Sequence, residues 1–371
     1  MNETTQNNHN YSYALHLYKQ DGSPLGQASV EIDWEPALEW CHLQGIRKGK
    51  LPPMFNIGRH TVEPIWDAEI GKPFLSGFRT LISADDGSEG FSAEFPITYF
   101  AGPAMKASEA YLKTGQLKPG DLLRYRMAAS PGTPASETEA SRPQAFSVRE
   151  VPKPIPLGAK SLRRLRIESV PFEGQEDADL PVFISNHVLE EACSRTRQGG
   201  AHEVGGILLG HLHRDTDSSE LIAEVTAEVP VRSAQSSLYS LSITGESWAA
   251  ARNAIDLRNN GEMMLGWWHS HSFMKEICQN CERLRDKSCD HTAVYMSEKD
   301  CGLHRAAFYR AYNLALVLGD TPCTGLRYGL FGWSHGGIHR RGFRILQAEP
   351  NGLRATKALP AKGTEGEKNV G

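Results

Sequence analysis

The sequence predicts an α+β fold in two parts, a β-rich domain over residues 11–127 and a mixed α/β domain over 180–346. Three observations carry this. Apolar residues alternate with polar ones through the first part; helical stripes alternate with short apolar runs in the second; and a stretch at 128–160, rich in Pro, Ser, Thr, Ala and Glu, lies between them.

In the first part Val30, Ile32 and Trp34 alternate with polar residues, as do Phe91, Ala93, Phe95 and Ile97, and again Leu123, Tyr125 and Met127. Such period-2 runs are half-buried strands, and Asp21-Gly22 and Asp86-Gly87 are turn signals between them. Little helix is expected here. Trp34 and Trp40 are read as core, and His16, His42 and His60 as surface or packing residues rather than ligands. Pro131, Pro134, Pro143, Pro152, Pro154 and Pro156 make 128–160 a semi-extended linker, within which Phe146 and Val148 could form one strand. The polar, Gly- and Lys-rich segment 348–371 is read as a frayed tail.

The second part opens with a strand over 181–184. Ser185 or Asn186 then caps a helix with Val188, Leu189, Ala192 and Cys193 on one face, ended by Gly199-Gly200. Glu203 precedes the apolar strand 205–209. A second helix covers about 246–259, with Trp248, Ala251 and Ile255 aligned and Gly261 as its stop. The strand 263–268 leads into His269-Ser270-His271, and 313–318 and 328–331 read as further buried strands.

Composition excludes several function classes. The chain has 371 residues, 40% hydrophobic and 23% charged, and a net charge of −4 without a long basic block. Nucleic-acid binding needs a clustered positive field, so no nucleic-acid partner is expected. No apolar run is long enough to span a membrane, and residues 1–10 are polar rather than signal-like, so a cytoplasmic location is expected. Of seven cysteines, Cys278, Cys281, Cys289 and Cys301 fall close together, which in a reducing compartment points to metal before disulfide.

His269 and His271 carry the chemistry. Residues i and i+2 of an extended segment point the same way, so both imidazoles can reach one metal ion. Asp300, in Ser297-Glu298-Lys299-Asp300 after the apolar run 293–296, is the expected third ligand at a strand-to-helix junction. A fourth position is left for water, as catalytic zinc requires. Asp290 is the competing third ligand. Glu203 can sit beside the water without binding the metal. Plainer readings stand beside each of these: a strand-edge acid for Glu203, a first-turn acid for Asp300 and an N-cap for Ser297.

These residues resemble the JAMM motif of MPN-domain metallopeptidases. The likeness rests on Glu203 with Val204-Gly205-Gly206-Ile207-Leu208-Leu209-Gly210, on Gly266-Trp267-Trp268-His269-Ser270-His271, and on Ser297-x-x-Asp300. It extends over about 180–346, to Tyr328-Gly329-Leu330-Phe331-Gly332-Trp333 and Gly342-Phe343. It implies an MPN-type curved β-sheet flanked by helices. It also implies a zinc peptidase or isopeptidase that cuts the amide after the C-terminus of a ubiquitin-like protein or its conjugates. In that scheme Glu203 takes a proton from the zinc-bound water, whose pKa the metal lowers toward ~7, and passes it to the leaving amine. Ser297 would donate to the developing oxyanion, an effect typically worth ~3 kcal/mol. Partners from a conjugation pathway are implied as well. The alternatives are a JAMM hydrolase of a small peptide or sulfur-carrier-type substrate, and a non-catalytic MPN scaffold. A nucleobase deaminase would need His-x-Glu and Pro-Cys-x-x-Cys, which do not occur.

Two departures from the motif stand out. Ser272 replaces the usual proline, and 25 residues separate His271 from Ser297, against about seven in the usual spacing. The added stretch contains Cys278-x-x-Cys281 and Cys289-x-His291, four ligands suited to a closed, structural second zinc. Cys301 or His304 could replace one of them. Such a zinc would order a polar insertion and shape the groove that receives the substrate's tail.

Overall fold

The computed structural model describes residues 11–67, 73–83, 90–131, 153–174, 179–231, 243–272, 274, 278 and 292–347. The fold is α+β: one large curled sheet flanked by helices, preceded by a β-rich region with its own small sheets.

The first small sheet joins β1 (Tyr11–Lys19) to β2 (Pro24–Val30) through a turn in which Gly22 takes φ 87°, and to β6 (Leu123–Pro131) on its other side. The second contains β3 (His60–Trp66), β4 (Leu75–Ile82) and β5 (Phe91–Pro96). The expectation of little helix fails here. Helix α1 (Glu35–Arg47) and helix α2 (Ala101–Lys113) each have 13 residues. Every residue of α1 from Ala37 to Arg47 is buried, so the helix has no polar face and shows no amphipathic period. Trp34 and Trp40 are core residues, as expected.

The 128–160 stretch is more ordered than a linker at both described ends. β6 runs through Pro131, and β7 (Leu157–Lys160) pairs in parallel with β10 (Gly205–Asp215). Pro154 and Pro156 are tolerated because successive strand residues point their N–H groups to opposite sides. The alternate residue Ile155 still donates to the Pro53 carbonyl at 2.8 Å, and its side chain is buried. Phe146, Val148 and the tail 348–371 lie outside the described residues.

The large sheet also begins before residue 180, because β8 (Ser169–Phe172), preceded by α3 (Leu162–Ile167), pairs with β16 (Phe343–Leu346). Its order is β15 (Gly337–Arg341), β14 (Gly325–Ser334), β13 (Leu314–Thr321), β12 (Met263–His271), β10, β11 (Leu221–Pro230), β9 (Val182–Ser185), β16 and β8. Helices α4 (Asn186–Gly199), α5 (Gly245–Arg258) and α6 (Glu298–Ala307) complete the described part. Ser185 is the N-cap of α4, and Gly200 ends it at φ 63°. Asn259 in the left-handed region, ahead of Gly261, ends α5.

Alternation along the strands sorts the core into two clusters. Leu208, Trp268, Leu314 and Leu316 point to one side, where their cluster is continuous with Trp34, Trp40 and Ile46 of the β-rich region. Ile207, Leu209, Trp267, Ala315 and Val317 point to the other, toward Ala251 of α5 and Phe308 just after α6. Polar bonds also tie the two regions together. The Arg47 guanidinium bridges Glu220 at 2.6 and 2.8 Å and the Asp179 carbonyl at 3.0 Å, and Arg310 meets the buried Glu39 at 2.5 Å. Among the described residues, no helix is long and apolar enough to cross a membrane.

Candidate metal centre

β12 ends with both histidines inside the strand, so their side chains share a face. Parallel pairing with β13 sets His269 opposite Val317 and His271 opposite Gly319. On the other edge, β10 sets Gly205 opposite His269. Just before β10, Val204 accepts from the Ser270 amide at 2.9 Å and donates to the Ser270 hydroxyl at 3.1 Å. Glu203, only 6% exposed, is therefore clamped beside the strand that carries the two imidazoles.

Asp300 arrives from a different element. The segment 293–296, expected as a strand, is not one. Ala293 sits at φ 57°, which breaks ladder geometry, and the chain crosses the sheet face instead. It packs close to the sheet because Gly319 has no side chain; a Cβ there would overlap the Thr292 carbonyl and lie 2.8 Å from the Ala293 carbonyl carbon. Ser297 then caps α6. Its hydroxyl accepts from the Asp300 amide at 3.2 Å, and the Asp300 carboxylate accepts from the Ser297 amide at 2.8 Å. This reciprocal capping box fixes the carboxylate at the start of the helix. The N-cap reading of Ser297 is thus correct as far as it goes, and it leaves the hydroxyl proton available as a donor.

The Nε2 atoms of His269 and His271 lie 3.0 Å apart, with Asp300 Oδ1 at 3.4 Å from the first and Oδ2 at 3.6 Å from the second. One tetrahedral ion with bonds of ~2.0–2.1 Å sets its ligand atoms about 3.3 Å apart. The three groups therefore fit a single zinc. The chemistry of the donors agrees. His271 Nδ1 lies 2.8 Å from the Ala293 carbonyl, which can only accept, so this nitrogen carries the proton and Nε2 presents a lone pair. Complete burial pushes His269 toward its neutral form, although Asp300 pulls the other way. Burial works to raise the Asp300 carboxyl, but its neighbours His269, His271 and Ser297 override it and hold the group well below the usual range. The set offers two imidazole Nε2 atoms and an ionised carboxylate, donors that suit a divalent metal.

The structure thus brings together His269, His271 and Asp300, with Ser297 in the capping box and Glu203 alongside. Cys281, Cys289, His291 and the competing ligand Asp290 lie outside the described residues; Cys278 is described and buried. His304, offered as a substitute ligand, has one ring nitrogen already committed. It is fully buried, and its Nδ1 accepts from the Trp267 indole at 3.1 Å. Two contributors went unnoticed in the sequence. One is the Ala293 carbonyl, which as a backbone group leaves no trace in residue types. The other is Tyr295, whose ring lies 4.6 Å from that of His271. Burial raises the Tyr295 phenol, with Asp300 and Glu203 adding to the shift, which places it near both acids. An aromatic residue two positions before the Ser-x-x-Asp element was the signal available.

No protein-family model matches the chain, and no curated protein matches it. It is similar to the solution structure of a protein from Desulfitobacterium hafniense, at 22% identity over 45% of this chain and 93% of that one, with a TM-score of 0.31. A likeness at that level carries no argument about function.

Proposed function

We propose that this chain is a zinc-dependent peptidase or isopeptidase of the JAMM type, cutting the amide bond that follows the C-terminus of a ubiquitin-like protein. The observation that carries the reading is the convergence of His269 Nε2, His271 Nε2 and Asp300 within ligand distance, with the buried Glu203 clamped alongside. A scaffold without catalysis has no need of a buried acid beside such a set.

Zinc held by His269, His271 and Asp300 would supply a Lewis acid that sharpens the acidity of water and the electrophilicity of a carbonyl. Glu203 accepts the proton of the attacking water and delivers it to the departing amine. Ser297 donates its hydroxyl proton to the oxygen that becomes negative, held in place because its lone pair is committed to the Asp300 amide. Ala293 and Ser297 keep His271 and Asp300 in their ligand forms through bonds to the backbone. Tyr295, at 38% exposure, stands at the open side of the site, where an incoming chain passes.

The test combines metal analysis with cleavage of ubiquitin-like fusions by wild type and Glu203→Gln. Two zinc ions per chain are expected, falling to one in Cys278→Ser. Glu203→Gln should keep the catalytic zinc and lose at least ~100-fold in rate, in line with general acid–base catalysis. Unaltered cleavage by that variant, or a wild-type chain that binds no zinc, would overturn the proposal.

A further inference from the structure

A histidine that binds metal through one nitrogen ordinarily anchors the other to a carbonyl, a carboxylate or water, and this bond fixes the ring. His271 follows the rule through Ala293. His269 does not: its Nδ1 is buried and has no hydrogen-bond partner among the described residues. Something else must hold its ring.

The neighbour that does so is Trp267. It lies two positions earlier on the same face of β12, and its indole is nearly parallel to the imidazole, 11° off plane with centroids 4.5 Å apart. Behind it Phe308 continues the stack at 6.2 Å and 14°. The indole cannot swivel, because its Nε1 donates to His304 Nδ1 at 3.1 Å. His304 stands on α6 one turn after Asp300, the third ligand. A closed circuit results: Asp300 to His304 along α6, His304 to Trp267 by a hydrogen bond, Trp267 to His269 by stacking, and His269 back to Asp300.

Keeping a histidine at position 304 has a cost. With Nδ1 accepting, Nε2 must carry the proton, and that N–H is buried without a partner among the described residues. A leucine or phenylalanine in the same apolar setting would avoid the cost, and neither would accept from the indole. Trp268, the next residue, points to the opposite face and donates instead to Glu228 at 3.1 Å, so it takes no part.

We propose that Trp267 and His304 are positioning residues of the metal centre. Their hydrogen bond locks the indole that orients His269, and it sets the distance between the strand carrying two ligands and the helix carrying the third. The inference rests on the zinc reading above.

The experiment measures zinc affinity by chelator competition and the visible spectrum of the cobalt-substituted protein. It compares wild type, Trp267→Phe, His304→Phe and the double variant, each checked for folding by circular dichroism. Trp267→Phe keeps a ring that can stack and removes the N–H donor together with part of the indole's bulk, so the double variant isolates the bond. Each single variant should bind zinc ~10-fold or more weakly, with displaced cobalt bands. The double variant should be no weaker than Trp267→Phe alone, since both changes remove one bond. Folded Trp267→Phe with wild-type affinity and spectrum would overturn the inference, as would losses that simply add. If His304→Phe fails to fold, Trp267→Phe decides alone. A wild-type chain whose zinc binding is indifferent to His269→Ala sinks the metal reading itself, a result separable from the first.

Discussion

Arg310→Met removes the cation that answers the buried Glu39 between the β-rich region and the large sheet. The guanidinium donates to Glu39 at 2.5 Å and to the Phe55 carbonyl at 2.7 Å. The Glu39 side chain is only 7% exposed, that of Arg310 24%. Breaking one side of a buried pair costs about 3–5 kcal/mol, and partial exposure of the arginine places this case near 3. The cost should depend on pH. Burial pushes Glu39 up to about 7 from 4.5, against the pull of Arg310 and with Glu35 adding repulsion. Because the folded value is the higher one, its contribution to stability is fully present below 4.5 and is lost as pH rises through about 7. At 1.36 kcal/mol per pKa unit, that span amounts to about 3 kcal/mol. Loss of Arg310 raises the carboxyl further and deepens the penalty above neutrality. His42 acts in the same sense. Burial, with the charge of Arg310, depresses it to about 4 from 6.5, so its contribution is present above 6.5 and lost as pH falls toward 4. Removing the arginine eases that acid-side loss. Urea unfolding of wild type, Arg310→Met, Glu39→Gln and the double variant at pH 5 and pH 8 measures all of this. Arg310→Met should lose about 3 kcal/mol at pH 8 and clearly less at pH 5. The double variant should be more stable than Arg310→Met at pH 8, since no lone charge remains buried. Equal losses at both pH values, or a double variant as unstable as the single, would refute the reasoning.

Other predictions concern the site. Ser297→Ala should lower stability by about 1 kcal/mol and Ser297→Gly by only a few tenths, since glycine caps a helix far better than alanine. Both should lose 10²–10³-fold in cleavage rate if the hydroxyl serves the oxyanion; thermal melts beside rate measurements separate the two roles. Gly319→Ala should weaken zinc binding by ~10-fold or more, because its methyl group pushes residues 292–293 off the sheet and removes the anchor of His271. Chelator competition reads this, and wild-type affinity in that variant would break the link between Gly319 and the site.

What could be read in the sequence follows from which features are periodic. His269 and His271 were legible because a strand repeats every two residues, and α4 because its apolar stripe sits between a serine cap and two glycines. Helix α1 was hidden by its own burial: with both faces covered its apolar and polar residues follow no period, although Pro36 in its first turn and Asp33 accepting from the Glu35 amide at 3.1 Å marked the start. The segment 293–296 misled in the opposite way. Ala293 and Val294 are buried and apolar, yet they lie across the sheet rather than in it; Val294 fills the space that Gly329 leaves, where a Cβ would come within 2.7 Å of it.

The 25 residues between His271 and Ser297 look incompatible with one compact site. The contacts that close the site lie elsewhere. On one side the histidines are fixed by pairing of β12 with β10 and β13, and none of those bonds involves the intervening stretch. On the other side the chain is brought back into place at Ala293, whose carbonyl holds His271 and whose close approach depends on Gly319, the residue paired with His271. From Ala293 the capping box at Ser297 and the His304–Trp267 bond fix the direction of α6, and with it Asp300. The geometry of the His269, His271 and Asp300 cluster is therefore set by residues 292–304 against the sheet. The length of chain between the two halves of the motif enters only as loop-closure entropy, which grows slowly with length. The long separation is compatible with one compact cluster because the cluster is completed by a re-entry contact, and spacing along the sequence is a poor guide to where Asp300 lies.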